Sequence, residues 1–389
     1  MQFYICIIEL ILFTNVSQEN KVSKIIATST QRVLMNKVHG ILLTTFVAII
    51  GTFLSSFIGK TLLGFDKSPL SPVLLAIVVG IIISNTFPIS DKYKDGINFI
   101  IGYILKLGII LLGIGISFFE LVNIGLVALP VIAITITTGL CMTIVVAKIL
   151  GLENKLAALL CVGSSICGAT AIATLSPVID AKKEQTAYAI VVVALFGTVA
   201  MSSYPYLVDY LFTSPLQKGM FLGTSIHDTS QVLGAGLIYV NQFGSSLVLD
   251  ATVITKLMRN SFMIIAIPLV AFLSYKLDAK HSNSDFGFNY KKAFPLFIVG
   301  FLALAVIRSL GDAAIANDAF IAPESWTQII SSVTYLSKSI CLVLAMAAIG
   351  LNTNFKTVFK IGYKPLFAGL VIALSIGVVN YLSISLLVG

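Results

Sequence analysis

Long apolar segments separated by short charged stretches divide the chain, and they restrict its fold more than any other feature. A helix needs about 20 apolar residues to cross a hydrocarbon core roughly 30 Å thick, and these segments lack the alternation of a membrane β-strand. The candidate segments lie near 41–59, 70–87, 97–119, 126–149, 156–176, 186–208, 216–240, 251–275, 294–310, 333–351 and 365–388. The chain is also 57% hydrophobic and only 11% charged, unlike a soluble domain. We predict an all-α polytopic membrane protein with nine to eleven segments in the lipid bilayer.

The net charge of +8 could indicate a nucleic-acid partner, but the distribution of the charge argues against one. The basic residues fall between the apolar segments, as loop charges of membrane proteins do. None of the five cysteines forms a CxxC pair, and no HExxH, GxSxG or P-loop motif occurs. We therefore expect no nucleic-acid partner, no nucleotide motor, no metal, no cofactor and no enzymatic reaction.

The first 37 residues differ from the rest of the chain. Their apolar stretch FYICIIELILF is short, contains Glu9 and lacks the basic flank of a signal peptide. Met35 could be the true start. We treat 1–37 as an N-terminal extension and 38–389 as a single membrane transporter domain.

The positions of lysine and arginine predict the topology. If the basic residues before the first clear segment are cytoplasmic, so that the chain from residue 38 starts there, simple alternation puts most basic loops inside. Lys182 and Lys183 are exceptions. The exceptions disappear if 156–176 and 216–240 are re-entrant hairpins that leave the membrane on the side they entered. Alternatively, these two lysines are tolerated outside because acidic residues flank them.

Two short polar motifs lie within these two segments. Residues 163–170 read GSSICGAT and 223–230 read GTSIHDTS, and in the hairpin topology they enter from opposite sides and meet near the midplane. Helix breaks of this kind surround substrates in transporters with inverted repeats, where free N–H groups and hydroxyls bind negative oxygens. The alternative is that small residues simply allow close helix packing. The predicted substrate site includes Gly163, Ser164, Ser165, Cys167, Gly168, Thr170, Gly223, Thr224 and Ser225.

A second pair of similar segments extends the site. Gly113, Ser117, Phe118 and Gly125 recur in the spacing of Gly350, Asn354, Phe355 and Gly362. The first set ends a segment outside and the second ends one inside, again inverted. The alternative is chance similarity among membrane segments rich in small residues. The predicted substrate-binding residues also include Asn352 and Asn354.

Ionisable residues inside membrane segments are expensive and indicate function. His227 and Asp228 lie in the second motif and are predicted to take up and release a coupling proton, although a polar contact between packed helices is the alternative. Arg259 is predicted to supply charge to the substrate or to pair with Asp228. Lys256, three residues earlier on the same face, is expected to snorkel to the interface.

With these residues in view, the chain resembles the YeiH-type sulfate exporter family of bacterial inner-membrane proteins. The resemblance runs from about residue 38 to the end and is carried by GSSICGAT, GTSIHDTS, KLGIILLGIGISFFELVNIG (106–125), ATVITKLMRN (251–260) and AAIGLNTNFKTVFKIG (347–362). It implies an inverted-repeat transporter in which discontinuous helices cross in a core of 97–240 and 333–362 beside scaffold helices. Crossing broken helices are thus an alternative to hairpins.

The expected function is secondary transport of a small anion. Sulfate or another sulfur-containing oxyanion is implied by the resemblance, as is export in a bacterial inner membrane, and coupling to protons or sodium and a homodimer are further expectations. Two alternatives remain open, which are an anion channel and a membrane enzyme or receptor subunit without transport activity.

Overall fold

The computed structural model describes residues 22–62, 71–277, 296–316, 323–353 and 362–388, and over these ranges the chain is helical with no strand. Residues 1–21, with which the N-terminal extension begins, lie outside them. The helices are α1 (Val22–Ser56), α2 (Pro72–Thr86), α3 (Asp91–Gly115), α4 (Phe118–Leu150), α5 (Asn154–Cys167), α6 (Ala169–Leu175), α7 (Lys183–Leu211), α8 (Pro215–Ser225), α9 (Thr229–Phe243), α10 (Ser246–Ser261), α11 (Met263–Leu277), α12 (Phe297–Ala316), α13 (Pro323–Asn352) and α14 (Tyr363–Leu387).

Within the described ranges, seven helices are long and apolar enough to cross a membrane, namely α1 from Lys37 onward, α3, α4, α7, α12, α13 and α14. Helices α10 and α11, which bend by 44° between Ser261 and Met263, are together long and apolar enough for an eighth span. The prediction of an all-α polytopic membrane protein is confirmed. The larger predicted number of segments also counted 70–87, which forms the 15-residue α2, and the segments 156–176 and 216–240, which are broken helices.

The first broken segment, α5 and α6, is a re-entrant hairpin. At its base Lys155 Nζ donates to the carbonyl of Asp180 at 3.0 Å. Deeper in the bundle, a Cβ on Gly163 would approach both Ile172 of α6 and Val193 of α7, so α5 and α6 lie side by side. The chain therefore returns to the end it entered, which places Lys182 beside that end as the charge pattern predicted.

The second broken segment, α8 and α9, is a hairpin from the opposite end of α7. Lys218 near the start of α8 and Tyr239 near the end of α9 both bind Asp209 of α7, with 2.7 Å between Lys218 Nζ or Tyr239 Oη and Asp209 Oδ1. The tip lies deeper, where Asn260 Nδ2 of α10 donates to Thr229 Oγ1 at 3.0 Å. Because both hairpins fold back, the structure favours re-entrant hairpins over crossing broken helices.

Helices α4 and α14 contact the hairpin tips. A Cβ on Gly139 of α4 would lie 2.2 Å from Ser165 Oγ, so a side chain there would displace the first tip. Asn380 of α14 donates from Nδ2 to Ser225 Oγ at 3.0 Å and accepts from Thr135 Oγ1 at 2.6 Å. These contacts hold both tips in the middle of the bundle.

Close contact between α2 and α13 depends on glycine. A Cβ on Gly350 would lie 2.4 Å from the carbonyl oxygen of Ile77 and 3.1 Å from the Cα of Gly80. We expect Gly350→Ala to lower the free energy of unfolding by about 1–3 kcal/mol, because backbone atoms cannot move aside as side chains do. Thermal unfolding of the purified protein in detergent measures the change.

Gly102→Ala is the matched control, since a Cβ at Gly102 meets nothing within 4 Å. It should be neutral or raise stability by up to about 1 kcal/mol, because alanine loses less backbone entropy on helix formation. Equal melting temperatures for Gly350→Ala and Gly102→Ala would contradict the predicted packing.

Candidate functional site

The tips of the two hairpins meet in the centre of the bundle. The first tip turns at Gly168, with φ 74° and ψ −133°, and the second turns over 226–228. His227 Nδ1 lies 3.2 Å from the carbonyl oxygen of Ser164, and the backbone N–H of Ala169 donates to Asp228 Oδ2 at 3.3 Å. The two polar motifs found in the sequence are therefore in direct contact.

Arg259 of α10 is completely buried between the tips, with 0% of its surface exposed. Its guanidinium donates to four carbonyl oxygens. Nε binds Ser165 at 2.9 Å and Nη2 binds Ser164 at 2.5 Å in the first tip. Nη1 binds Thr224 at 2.7 Å and Ile226 at 3.1 Å in the second. Arg259 thus bridges the hairpins through their backbones.

Lys256 lies beside Arg259 and is equally buried, with 1% of its surface exposed. Its Nζ donates to the carbonyl oxygens of Ile166 at 3.2 Å, Ile226 at 2.9 Å and His227 at 2.5 Å. The expectation that Lys256 snorkels to the interface is wrong. It is a second bridge between the hairpins.

The physical reason for both bridges is the pair of helix ends that meet there. The last carbonyls of α5 and α8 have no partner within their own helices, and the C-terminal end of a helix carries partial negative charge. In an apolar interior each unsatisfied group costs several kcal/mol. Two cations neutralise both ends at once, so Arg259, which was predicted to supply charge to a substrate, satisfies backbone carbonyls together with Lys256.

Asp228 faces the other side of the tips. Its Oδ1 accepts from the backbone N–H of Ser230 at 2.9 Å and from Ser230 Oγ at 2.5 Å, which caps α9. Its Oδ2 accepts from Ala169, the first residue of α6. One half-buried carboxylate therefore caps its own helix and links it to the other hairpin.

A partly open cavity of about 230 Å³ lies against this linkage. Its polar wall consists of Asp228, Ser230, Gln231, Asn352 and Thr353, and its apolar wall includes Ile101, Ala169, Ile190, Val193 and Ile349. Among the described residues, Gln231 Oε1 is buried without a hydrogen-bond partner, while its Nε2 donates to the carbonyl of Ala194 at 2.9 Å. The cavity thus offers both charged and neutral polar groups to a small molecule.

The predicted site residues separate into two groups. Asp228 and Asn352 line the cavity, Gly168 adjoins Asp228, and Thr170 is exposed. Behind the tips and buried lie Gly163, Ser164, Ser165, Cys167, Gly223, Thr224, Ser225, His227 and Arg259. Asn354 falls outside the described residues. The carbonyls of the buried group, rather than its hydroxyls, make most of the contacts between the hairpins.

Sequence reasoning missed four residues at the centre: Lys256, Ser230, Gln231 and Asn380. The spacing of Lys256 and Arg259, which puts both on one face of α10, already indicated a shared environment. Ser230 and Gln231 lie two and three residues after Asp228, in the first turn of α9. Asn380 is an amide within the apolar helix α14, and such residues usually bind a partner across the bundle.

Comparisons with known proteins agree with this architecture. A family model described as "Conserved hypothetical protein 698" matches residues 39–369. A UPF0324 membrane protein of Fusobacterium nucleatum is 35% identical over 338 residues, covering 86% of this chain and 93% of the relative. A UPF0324 membrane protein of Clostridium tetani is 32% identical over 356 residues, covering 88% of this chain and 95% of the relative. One from Streptococcus agalactiae serotype V is 31% identical over 344 residues, covering 88% of this chain and 96% of the relative.

Proposed function

The chain belongs to the conserved hypothetical protein 698 family, which includes UPF0324 membrane proteins, and from this premise we propose that it is a secondary transporter of a small anion. The central cavity at the hairpin tips would be the substrate site. Movement of the hairpins and the helices around them would expose the cavity alternately to the two sides of a bacterial cytoplasmic membrane.

One observation supports this proposal above all others. Two re-entrant hairpins from opposite ends of α7 meet beside a cavity of about 230 Å³ in the middle of the bundle. Non-helical backbone at membrane depth is tolerated only where protein satisfies it or a water-filled cavity borders it. Inverted elements around a midplane site are typical of secondary transporters, whereas an anchor or a receptor subunit has no need of them.

The charges around the tips favour an anion. Lys256 and Arg259 place two positive charges behind the cavity, and among the described lining residues Asp228 is the only acidic one. Charges interact strongly where the effective dielectric constant is low. Because the donors of both cations are engaged by carbonyls, they would act on a substrate through their field, while hydroxyl and amide groups of the cavity wall make the direct contacts.

Asp228 is the group that we assign to ion coupling. It lies at the cavity wall and holds the two hairpins together through Ala169, so loss of its negative charge would weaken that link. His227 is buried on the other side, against the Ser164 carbonyl.

The resemblance to sulfate exporters makes sulfate the first substrate to test. The basic residues at the base of the first hairpin would face the cytoplasm, and so would the start of the chain from residue 38.

Flux measurements on the purified protein in lipid vesicles test the function. Uptake of labelled sulfate, sulfite and an organic sulfonate is followed with and without a pH gradient. Saturable flux that the gradient drives supports a coupled transporter. Flux that rises linearly with concentration would instead indicate a channel, and no flux of any of these anions would contradict the proposal.

Filling the central cavity should stop transport without unfolding the protein. Ala169→Leu adds three carbon atoms at the cavity wall, and we expect flux to fall by more than about tenfold, since 1.4 kcal/mol of lost binding is enough for that. Ala133→Leu makes the same change on an exposed face of α4 and should leave flux unchanged. Thermal unfolding of both variants checks the fold. Normal flux in Ala169→Leu would show that substrate does not pass this cavity.

A further inference from the structure

A second cavity, of about 500 Å³, opens at the end of the bundle opposite the base of the first hairpin. It lies between the start of α10 and one face of α13, and the central site does not include it. Ser246 and Asp250 contribute from α10. The wall from α13 includes Thr327, Ser331, Thr334 and Lys338, with Ile330, Tyr335 and Ser339 beside them. We call this space the outer cavity.

The α13 wall of the outer cavity contains a continuous polar stripe of Thr327, Ser331, Thr334 and Lys338. Its four residues follow at intervals of four, three and four, so they lie on one face of the helix. Lys338 lies within a π-helical segment, Leu336–Cys341, and such segments occur frequently at functional sites. A lysine inside a membrane span is costly and indicates function by default.

The charged groups of the outer cavity are not paired directly. The ion pairs of the described residues join Lys94 to Asp91, Lys218 to Asp209 and Arg308 to Asp312, so Lys338 and Asp250 face the space without a salt bridge. Lys338 and Glu120, which lies at the start of α4, act electrostatically on Asp250. The Tyr335 phenol lines the same space.

The outer cavity also contains an unused polar group. Thr334 Oγ1 is buried without a hydrogen-bond partner among the described residues, and it lies one helical turn before Lys338. An unmade hydrogen bond of this kind costs about 1–3 kcal/mol. Thr334 and Lys338 line the same cavity.

We propose that the outer cavity is a second anion site, in which the Asp250 carboxylate and the transported anion compete for Lys338. This inference rests on the proposed transport of an anion. When Asp250 is ionised, its charge balances that of Lys338 and an anion is repelled. When Asp250 takes a proton from solution at this end, the Lys338 ammonium is left without a counter-charge and binds the anion together with the hydroxyls of Thr334 and Ser331. One proton and one anion are therefore loaded together, and the proton returns to solution when Asp250 ionises again.

The single tryptophan of the chain reports on the outer cavity. Trp326 directly precedes Thr327 of the cavity wall, and its indole N–H donates to Asp312 Oδ1 at 2.9 Å. Sulfate is titrated into the purified full-length protein while Trp326 fluorescence is recorded at about pH 5 and about pH 7.5, a range that includes the titration of perturbed carboxyl groups. We expect at least about tenfold tighter binding at the lower pH.

Variants separate the parts of the outer site. Asp250→Asn should bind sulfate tightly at both pH values, and Lys338→Met should not bind it at either. Glu120→Gln tests the second carboxylate and should retain the pH dependence. Lys183→Met changes an exposed lysine in the first turn of α7 and should behave like the wild type. Unchanged binding in Lys338→Met, an unchanged pH dependence in Asp250→Asn, or no binding to the wild type would each overturn the inference.

The vesicle experiment keeps the two proposals apart. If the wild type transports sulfate while Lys338→Met binds and transports it normally, the outer site is wrong and the proposed function stands. If sulfate binding depends on Lys338 and Asp250 but the wild type shows no flux, the proposed function fails and the outer site remains.

Discussion

Replacing Arg259 with methionine is expected to lower the free energy of unfolding by at least about 3 kcal/mol, the cost of removing one partner from a buried charged network. Methionine replaces the apolar stem of arginine but has no donors, so the carbonyls of Ser164, Ser165 and Thr224 would lose the guanidinium that binds them. Each hydrogen bond from a charged group contributes about 1.5–3 kcal/mol. Thermal unfolding in detergent and the yield of folded protein measure the loss.

Two further variants define the cause. Arg259→Lys keeps the charge, but one ammonium cannot replace the fork of donors, so we expect an intermediate loss. Arg308→Met removes an arginine that pairs with Asp312 on the same helix, in a partly exposed position, and such pairs contribute about 0–1 kcal/mol. If Arg259→Met were no less stable than Arg308→Met, the bridge between the hairpins would not be a main source of stability.

The sequence was sufficient to predict that the segments 156–176 and 216–240 are broken and fold back. Lys182 and Lys183 conflicted with simple alternation, and a chain that folds back resolves the conflict. The similarity of GSSICGAT and GTSIHDTS then suggested that the two tips meet. Both inferences depend on properties of whole segments, charge and small-residue content, which do not change when a helix rotates about its axis.

The sequence could not predict which atoms of the tips face the cavity. Ser164 and Ser165 looked like substrate ligands because of their hydroxyls, yet their carbonyls bind Arg259 and their side chains are buried. The direction of each group depends on how a helix end is rotated, and that is set by distant contacts. One such contact is Asn380 with Ser225, which are 155 residues apart in the chain.

Arg259 makes contacts other than those expected of it for a related reason, because it binds backbone carbonyls. A buried arginine in an anion transporter suggests a substrate ligand. A broken helix, however, has unpaired carbonyls with partial negative charge at its C-terminal end, and these need donors even when no substrate is bound. In this bundle the cations satisfy the two C-terminal ends, and the cavity is lined instead by the residues after the break. A buried cation beside a broken helix can therefore be assigned to a substrate only after the unpaired carbonyls of the helix ends have been given their donors.

Gly168→Ala is expected to abolish transport while leaving most of the fold intact. Gly168 has φ 74° and ψ −133°, a conformation that costs other residues about 1–3 kcal/mol. A Cβ there would also lie 2.6 Å from Asp228 Oδ2 and 2.9 Å from its Cα. The tips would have to separate, which breaks the link between Ala169 and Asp228 beside the central cavity, whereas Lys256 and Arg259 still hold the carbonyls on the other side.

Gly151→Ala separates backbone strain from collision. Gly151 also has a positive φ, 62°, but a Cβ there meets nothing within 4 Å, so this variant carries strain alone and should retain wild-type flux. We expect Gly168→Ala to reduce anion flux in vesicles by more than about a hundredfold, as a collision worth about 3 kcal/mol at the site would. Similar flux in the two variants would show that tip contact is not needed for transport.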